Sequence, residues 1–209
     1  MTEETPVLSN AQAPIVVMGV QGCGKSTVGR ALADSLGLRF VDGDDLHSRE
    51  ARAKMASGHP LTDDDRLPWL ARVAETVAAA VAPLENGAAG EPIVIACSAL
   101  KRSYRDLMRA IVPSLAFMEL YGSQALVAER LTHRNHAYMP PTLLDSQFEA
   151  LEPLAADEAG ARIDFAHSPD AIVGLILTRL NTTGLNSTIA SAAAAGAACA
   201  TEPKKEIAH

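Results

Sequence analysis

No run in this chain approaches the ~20 consecutive apolar residues of a membrane span, so no membrane partner is expected. Cysteine is scarce. Cys23, Cys97 and Cys199 form an odd set without C-x-x-C spacing, which indicates neither a disulfide framework nor a zinc site and points to reduced thiols. Excess positive charge is missing too: 18 Lys and Arg stand against 25 Asp and Glu, for a formal net charge of −7. That balance speaks against a broad nucleic-acid-binding face, so any anion must be met locally. The start, Met1-Thr2-Glu3-Glu4-Thr5, is acidic where a signal peptide would be basic, and a cytoplasmic protein is expected. His59, His133 and His167 show no metal-like pairing, and no internal repeat is visible.

What is present is 48% apolar content in 209 residues, enough for one good core. The strongest local signal is Gly19-Val20-Gln21-Gly22-Cys23-Gly24-Lys25-Ser26, a G-x-x-x-x-G-K-[ST] match. It follows the β-branched run Ile15-Val16-Val17-Met18 and leads through Thr27 into residues at helical spacing, which is the context such a match requires. Glycines let the backbone turn tightly and aim several N–H groups into one concavity, and the following helix adds its positive N-terminal end. Both attract phosphate. Lys25 reaches the β- and γ-phosphates as a point charge, and the Ser26 hydroxyl is placed to ligate Mg²⁺. Residues 19–27 are therefore the expected nucleotide-binding stretch. Cys23 within it reads as a small filler, with an oxidation-sensitive switch as the alternative.

Further along, Val28, Ala31, Leu32, Ser35 and Leu36 keep helical spacing and Gly37 sits where a helix-ending glycine belongs. A second strand over 38–41 delivers Asp42-Gly43-Asp44-Asp45 at its carboxyl end, the edge where open parallel sheets bind ligands. A helix is expected over 46–55, broken by Ser57-Gly58-His59-Pro60. Thr62 or Asp63 caps the next, which buries Trp69, Leu70, Val73 and Val77 and ends by Pro83 and Asn86-Gly87. Residues 92–97 read as a central strand covered on both sides. Then come a helix over 98–111, a strand over 115–120, a helix over 124–133, a strand over 163–166 and a last helix from Ser168-Pro169 to about 180. The alternation predicts a three-layer α/β/α P-loop fold, a parallel sheet of about five strands between helical layers. Residues 1–13 read as a loose leader, 14–180 as the domain, and the Ala/Ser/Thr-rich 181–209 as a disordered tail or frayed helix.

From Asp42-Gly43-Asp44-Asp45-Leu46-His47 onward the chain resembles the gluconate kinases, with a P-loop of the shikimate and adenylate kinase type. The likeness continues in Lys54-Met55-Ala56-Ser57-Gly58-His59-Pro60-Leu61 and Asp63-Asp64-Asp65-Arg66-Leu67-Pro68-Trp69-Leu70. It recurs in Cys97-Ser98-Ala99-Leu100-Lys101, Tyr104-Arg105-Asp106-Leu107 and Leu143-Leu144-Asp145-Ser146-Gln147-Phe148-Glu149. The resemblance implies ATP-dependent phosphorylation of the 6-hydroxyl of D-gluconate, with Mg²⁺, and a homodimer, since dimers are common in that family.

Gluconate is a polyol with one carboxylate, so its site needs cations at one end and acceptors for the hydroxyls. Arg66 and Arg105 are candidates for the carboxylate, with Lys54 and Lys101 as helpers and His47 for a hydroxyl. Asp44 is the candidate to orient or deprotonate the attacking hydroxyl, and Asp42 to hold Mg²⁺ through water. Both aspartates are also good helix caps, which is the alternative. Asp63, Asp64 and Asp65 read as cap and surface charge, with an Arg66 ion pair open; Trp69 reads as core, and Tyr104 and Asp106 as packing and surface. Related kinases use the region matching residues 124–147 as a lid, so the resemblance implies that Arg130 and Arg134, four apart, close over the phosphates, with an ordinary surface pair as the alternative. In the family a glycine and a histidine commonly follow the second arginine, whereas this chain reads Arg134-Asn135-His136-Ala137-Tyr138-Met139, so no role passes to His136. Two rivals fit the loop alone: a kinase for shikimate or a nucleoside monophosphate, and a non-catalytic nucleotide switch. The absence of an Asn-Lys-x-Asp guanine-reading motif weakens the second.

Overall fold

The structure, a computed structural model, describes residues 13–83, 90–132 and 142–182. In chain order these form β1 (Ile15–Met18), α1 (Lys25–Leu36), β2 (Arg39–Asp42), a 3-10 turn (Gly43–Leu46), α2 (Arg49–Ala56), α3 (Asp63–Val81) and β3 (Ile93–Ala96). Then follow α4 (Arg102–Ile111), β4 (Ala116–Tyr121), α5 (Gln124–Thr132), α6 (Thr142–Ala150), β5 (Gly160–Asp164) and α7 (Pro169–Thr182). The five strands pair in parallel in the order β2-β3-β1-β4-β5. Chain order reverses beside β1, and the crevice at such a switch point is where open sheets take ligands.

Because strand side chains alternate, β1 feeds two cores. Ile15 and Val17 pack with Leu32 of α1 and Ile172 and Ile176 of α7, while Val16 and Met18 pack with Trp69, Leu70 and Val73 of α3 and Met108 of α4. All four β1 residues are buried, which explains a strand without polar alternation. Local chemistry sets the helix ends as expected at two places. Gly37 adopts φ 67° and donates to the Ala33 and Asp34 carbonyls, and Thr62 caps α3 in a reciprocal capping box with Asp65.

Three boundaries differ from the sequence reading. The expected helix over 46–55 is a 3-10 turn and then α2, because Ser48 caps Ala51 N–H and restarts the helix. Helix α4 begins at Arg102 rather than at 98, and residues 98–101 are a loop in which Ala99 takes φ 42°. Strand β5 lies at 160–164 rather than 163–166, since Gly160 approaches Phe117 so closely that a Cβ would sit 1.9 Å from its carbonyl oxygen. Helix α6 was not expected as a separate element. The leader over 1–12, the Asn86-Gly87 turn, the lid segment over 133–141 and the tail from 183 lie outside the described residues. No helix among the described residues is long and apolar enough to cross a membrane.

Candidate active site

The loop after β1 is held open by backbone geometry that only glycine supplies. Gly19 has φ 140°, and a Cβ there would lie 2.6 Å from the Leu120 carbonyl oxygen; Gly24, at φ 105°, starts α1. Lys25 Nζ donates to the Val20 carbonyl at 3.0 Å, across the loop. Ser26 Oγ donates to Asp42 Oδ2 at 2.8 Å, and the other oxygen of that carboxylate accepts Asp44 N–H at 3.2 Å. Asp42 thus caps the 3-10 turn and touches the serine at once, so its two sequence readings are compatible.

A cleft of about 770 Å³ opens over this loop. Gly22, Lys25 and Ser26 line it from the loop, Asp44 and His47 from the 3-10 turn and its end, Arg52 from α2, Arg66 and Trp69 from α3, Tyr104 from α4, and Gln147 from α6. The turn is rigidly supported. Trp69 Nε1 donates to the Gly43 carbonyl at 2.7 Å, Arg72 Nε to that of Leu46 at 3.0 Å, and Arg52 to those of His47 and Asp45. The His47 ring stacks on Trp69 with centroids 4.1 Å apart. Burial, reinforced by the charges of Arg72, Arg52 and Arg66, pushes His47 down to about 4, so the imidazole is neutral near pH 7. Its Nδ1 is buried without a hydrogen-bond partner among the described residues.

Asp44 has a side chain 75% exposed yet sits within the cleft mouth, where the surrounding protein raises its pKa above the ordinary carboxylate value. Lys25 pulls the other way, and Asp42 and Asp45 add to the rise. A second cavity of about 420 Å³ lies on the other side of the loop, lined by Gly22, Gly24 and Thr27 together with Arg130, Phe165, His167 and Pro169. Arg130 donates to the Phe165 carbonyl at 2.7 Å and lies over that ring at 5.3 Å.

Comparisons with known proteins now bear on this geometry. A family model described as an AAA domain matches residues 15–154. A probable gluconokinase of Mus musculus is 40% identical over 187 residues, covering 81% of this chain and 98% of that protein. The thermosensitive gluconokinase of Escherichia coli strain K12 is 42% identical over 153 residues, covering 73% and 79% respectively. The chain belongs to the gluconokinase family. A crystal structure of a gluconokinase from Sinorhizobium meliloti 1021 is 44% identical, with a TM-score of 0.75 over 86% of this chain and 98% of that one. The fold is that of a P-loop kinase, a family that binds ATP.

Within this family member, Lys25, Ser26, Asp44, His47 and Arg66 come together at one cleft, with Asp42 bonded to its serine. Other expectations are corrected. Arg105, a candidate for the sugar-acid carboxylate, is fully buried and does not line the cleft. It forms a two-pronged pair with Glu158 at 2.7 Å and donates to the carbonyls of Ala99, Leu100 and Glu152, so its donors serve the fold. Lys54 and Lys101, the expected helpers, do not line the cleft: Lys54 is bonded to Asp65 and Lys101 to Asp63 at 2.8 Å. The sequence read these aspartates as cap and surface charge with an Arg66 ion pair open; Asp65 completes the Thr62 capping box, and Arg66 lies 3.7 Å from Asp63. Arg130 lines the second cavity rather than the cleft, donating to the Phe165 carbonyl and, at 3.5 Å, to that of Cys23 in the phosphate loop, so its proposed role toward the phosphates stays open to test. Arg134 and His136 lie outside the described residues. Cys23 is buried, and burial pushes its thiol up, which suits a filler.

Three cleft residues had no assigned role. Arg52 was not singled out in the sequence; its place five residues after His47, whose carbonyl it bonds, was the available signal. Tyr104, read as packing, is buried but turns its hydroxyl to Asp63 and Arg66. Gln147 carried no sequence signal beyond its place in the resembling block.

Proposed function

We infer that this protein transfers the γ-phosphoryl group of ATP to the 6-hydroxyl of D-gluconate, giving 6-phospho-D-gluconate and ADP. The observation that carries the reading is the cleft itself. A phosphate-binding loop at one side faces a wall of carboxylate, neutral imidazole and arginine, in a chain about 40% identical to gluconokinases over most of its length.

Phosphoryl transfer is mainly positioning and charge neutralisation. The loop N–H groups and the α1 N-terminus receive the phosphates, and the Lys25 ammonium exchanges the Val20 carbonyl for a γ-phosphate oxygen. Asp44 orients the attacking hydroxyl and accepts its proton. A carboxyl with a raised pKa is a better base than an ordinary aspartate once ionised. His47, neutral and part of the cleft wall, hydrogen-bonds a second hydroxyl of the polyol. Arg66 and Arg52 supply the positive side for the carboxylate.

The Ser26 hydroxyl and Asp42 carboxylate are hard oxygen donors 2.8 Å apart, which fits Mg²⁺; bound there, the ion supplies charge neutralisation at the phosphates. Among the described residues no cluster of three or more His, Cys, Asp or Glu side chains forms a metal cage, consistent with an ion held largely by phosphate and water. The second cavity, next to the loop and walled by Arg130 and Pro169, suits the nucleotide base. A homodimer and a cytoplasmic location belong to the same reading, and light scattering of the purified protein measures the first.

The test is a coupled ADP-release assay with ATP and a panel of acceptors. Turnover is expected with gluconate and not with shikimate or nucleoside monophosphates. Background rates with gluconate alongside turnover of another acceptor overturn the substrate.

A further inference from the structure

The phosphate loop is clamped from outside. Gln21 N–H, at the loop tip, donates at 2.7 Å to Oε1 of Gln147, which lies 126 residues later on α6. On the tip's other side, a Cβ at Gly22 would come within 2.9 Å of Val127 and 3.1 Å of Leu131, so α5 presses there. Gln147 is itself well anchored: Leu144, one turn before it on α6, and its neighbour Phe148 pack into the core that covers α1. A backbone N–H accepts no proton, so the amide oxygen is the atom that must face it.

We propose that Gln147 is a positioning residue that pre-sets the phosphate loop for the nucleotide by holding Gln21 N–H. Three loop glycines occupy positive φ, and such a segment loses much conformational freedom when it orders. Fixing it from α6 before ATP arrives removes part of that ordering cost from binding. The contact acts on the nucleotide and not on the acceptor. It rests on the reading of residues 19–26 as the phosphate site and adds a control point outside the motif.

The experiment compares full-length Gln147→Leu and Gln147→Glu with the wild type. It measures amide hydrogen exchange of the peptide over residues 19–26 without nucleotide, and Kd for the unreactive analogue AMPPNP by calorimetry at high salt. Leucine removes the acceptor, so loop exchange is expected to rise and affinity to fall by about five- to tenfold each, the scale of one hydrogen bond. Glutamate keeps an acceptor oxygen and is expected to retain slow exchange. Wild-type behaviour of the leucine variant overturns the proposal, as does faster exchange spread over the whole chain or equal loss in both variants. Faster loop exchange with unchanged Kd overturns it as well. Absence of AMPPNP binding to the wild type instead overturns the nucleotide reading, and is recognisable because the exchange comparison involves no nucleotide.

Discussion

The two sides of the cleft are made of different material. The phosphate side is backbone: glycine dihedrals, N–H groups and a helix end within residues 19–26. The acceptor side is side chain: Asp44, His47, Arg52, Arg66, Trp69 and Tyr104, brought from the 3-10 turn, α2, α3 and α4. The first is specified by one contiguous motif. The second exists only when four elements pack, and its Arg66 already has a carboxylate neighbour in Asp63, 3.7 Å away.

The largest expected effect breaks the phosphate side alone. Lys25→Ala should bring turnover to background while thermal unfolding stays near the wild-type temperature, since among the described residues its side chain gives the resting fold one hydrogen bond, to the Val20 carbonyl. Near-normal kcat in that variant contradicts its role. On the acceptor side, Asp44→Asn should lower kcat by ~10²–10⁴ with ATP affinity nearly unchanged, the range for loss of a general base. Steady-state kinetics and a separate nucleotide titration read the two quantities.

Two arginines then sharpen the contrast between binding and scaffolding. Arg105→Met should cost roughly 1–3 kcal/mol of stability in urea unfolding, because Glu158 keeps only Arg109 at 2.8 Å as a close cation and the carbonyls of Ala99, Leu100 and Glu152 lose a donor, and leave KM for gluconate unchanged. Arg66→Met should do the reverse, raising KM for gluconate by about 10- to 100-fold, the loss of hydrogen bonds to a charged group, with little change in unfolding.

The smallest effect is a displacement of pH dependence. Asp44 is raised, so its protonated form persists to higher pH than that of an ordinary aspartate, and the acid limb of kcat should lie above the range of an unperturbed aspartate. His47, held at about 4, should contribute no ionisation near 6.5, and His47→Asn should leave the profile's shape intact while raising KM for gluconate. An imidazole step near 6.5 that vanishes in that variant contradicts the neutral histidine.

The same contrast governs what was legible in the sequence. The strand, glycine loop and helix were readable because each cause is local: β-branching before, glycine within, Gly37 after. That Asp44 lines the cleft was readable because it follows directly on the second strand, and His47 through the resembling block that holds it. Arg105 was misread because its partner, Glu158, lies 53 residues away and nothing near Arg105 announces it. Arg130 looked like half of a lid pair through its spacing with Arg134, while the carbonyl that holds it belongs to Phe165, beyond β5. Strand β5 was shifted because the decisive feature, a backbone approach of Gly160 to Phe117, is a property of the assembled sheet. Trp69 was correctly placed in the core, but its second role as the platform for His47 needed the 3-10 turn above it.

The most direct measurement is a crystal structure with AMPPNP, Mg²⁺ and gluconate bound together. The expected result sets the gluconate 6-hydroxyl within hydrogen-bond distance of the Asp44 carboxylate and in line with the γ-phosphate on Lys25, its carboxylate toward Arg66. Gluconate bound away from Asp44, even with the nucleotide seated in the loop, contradicts it.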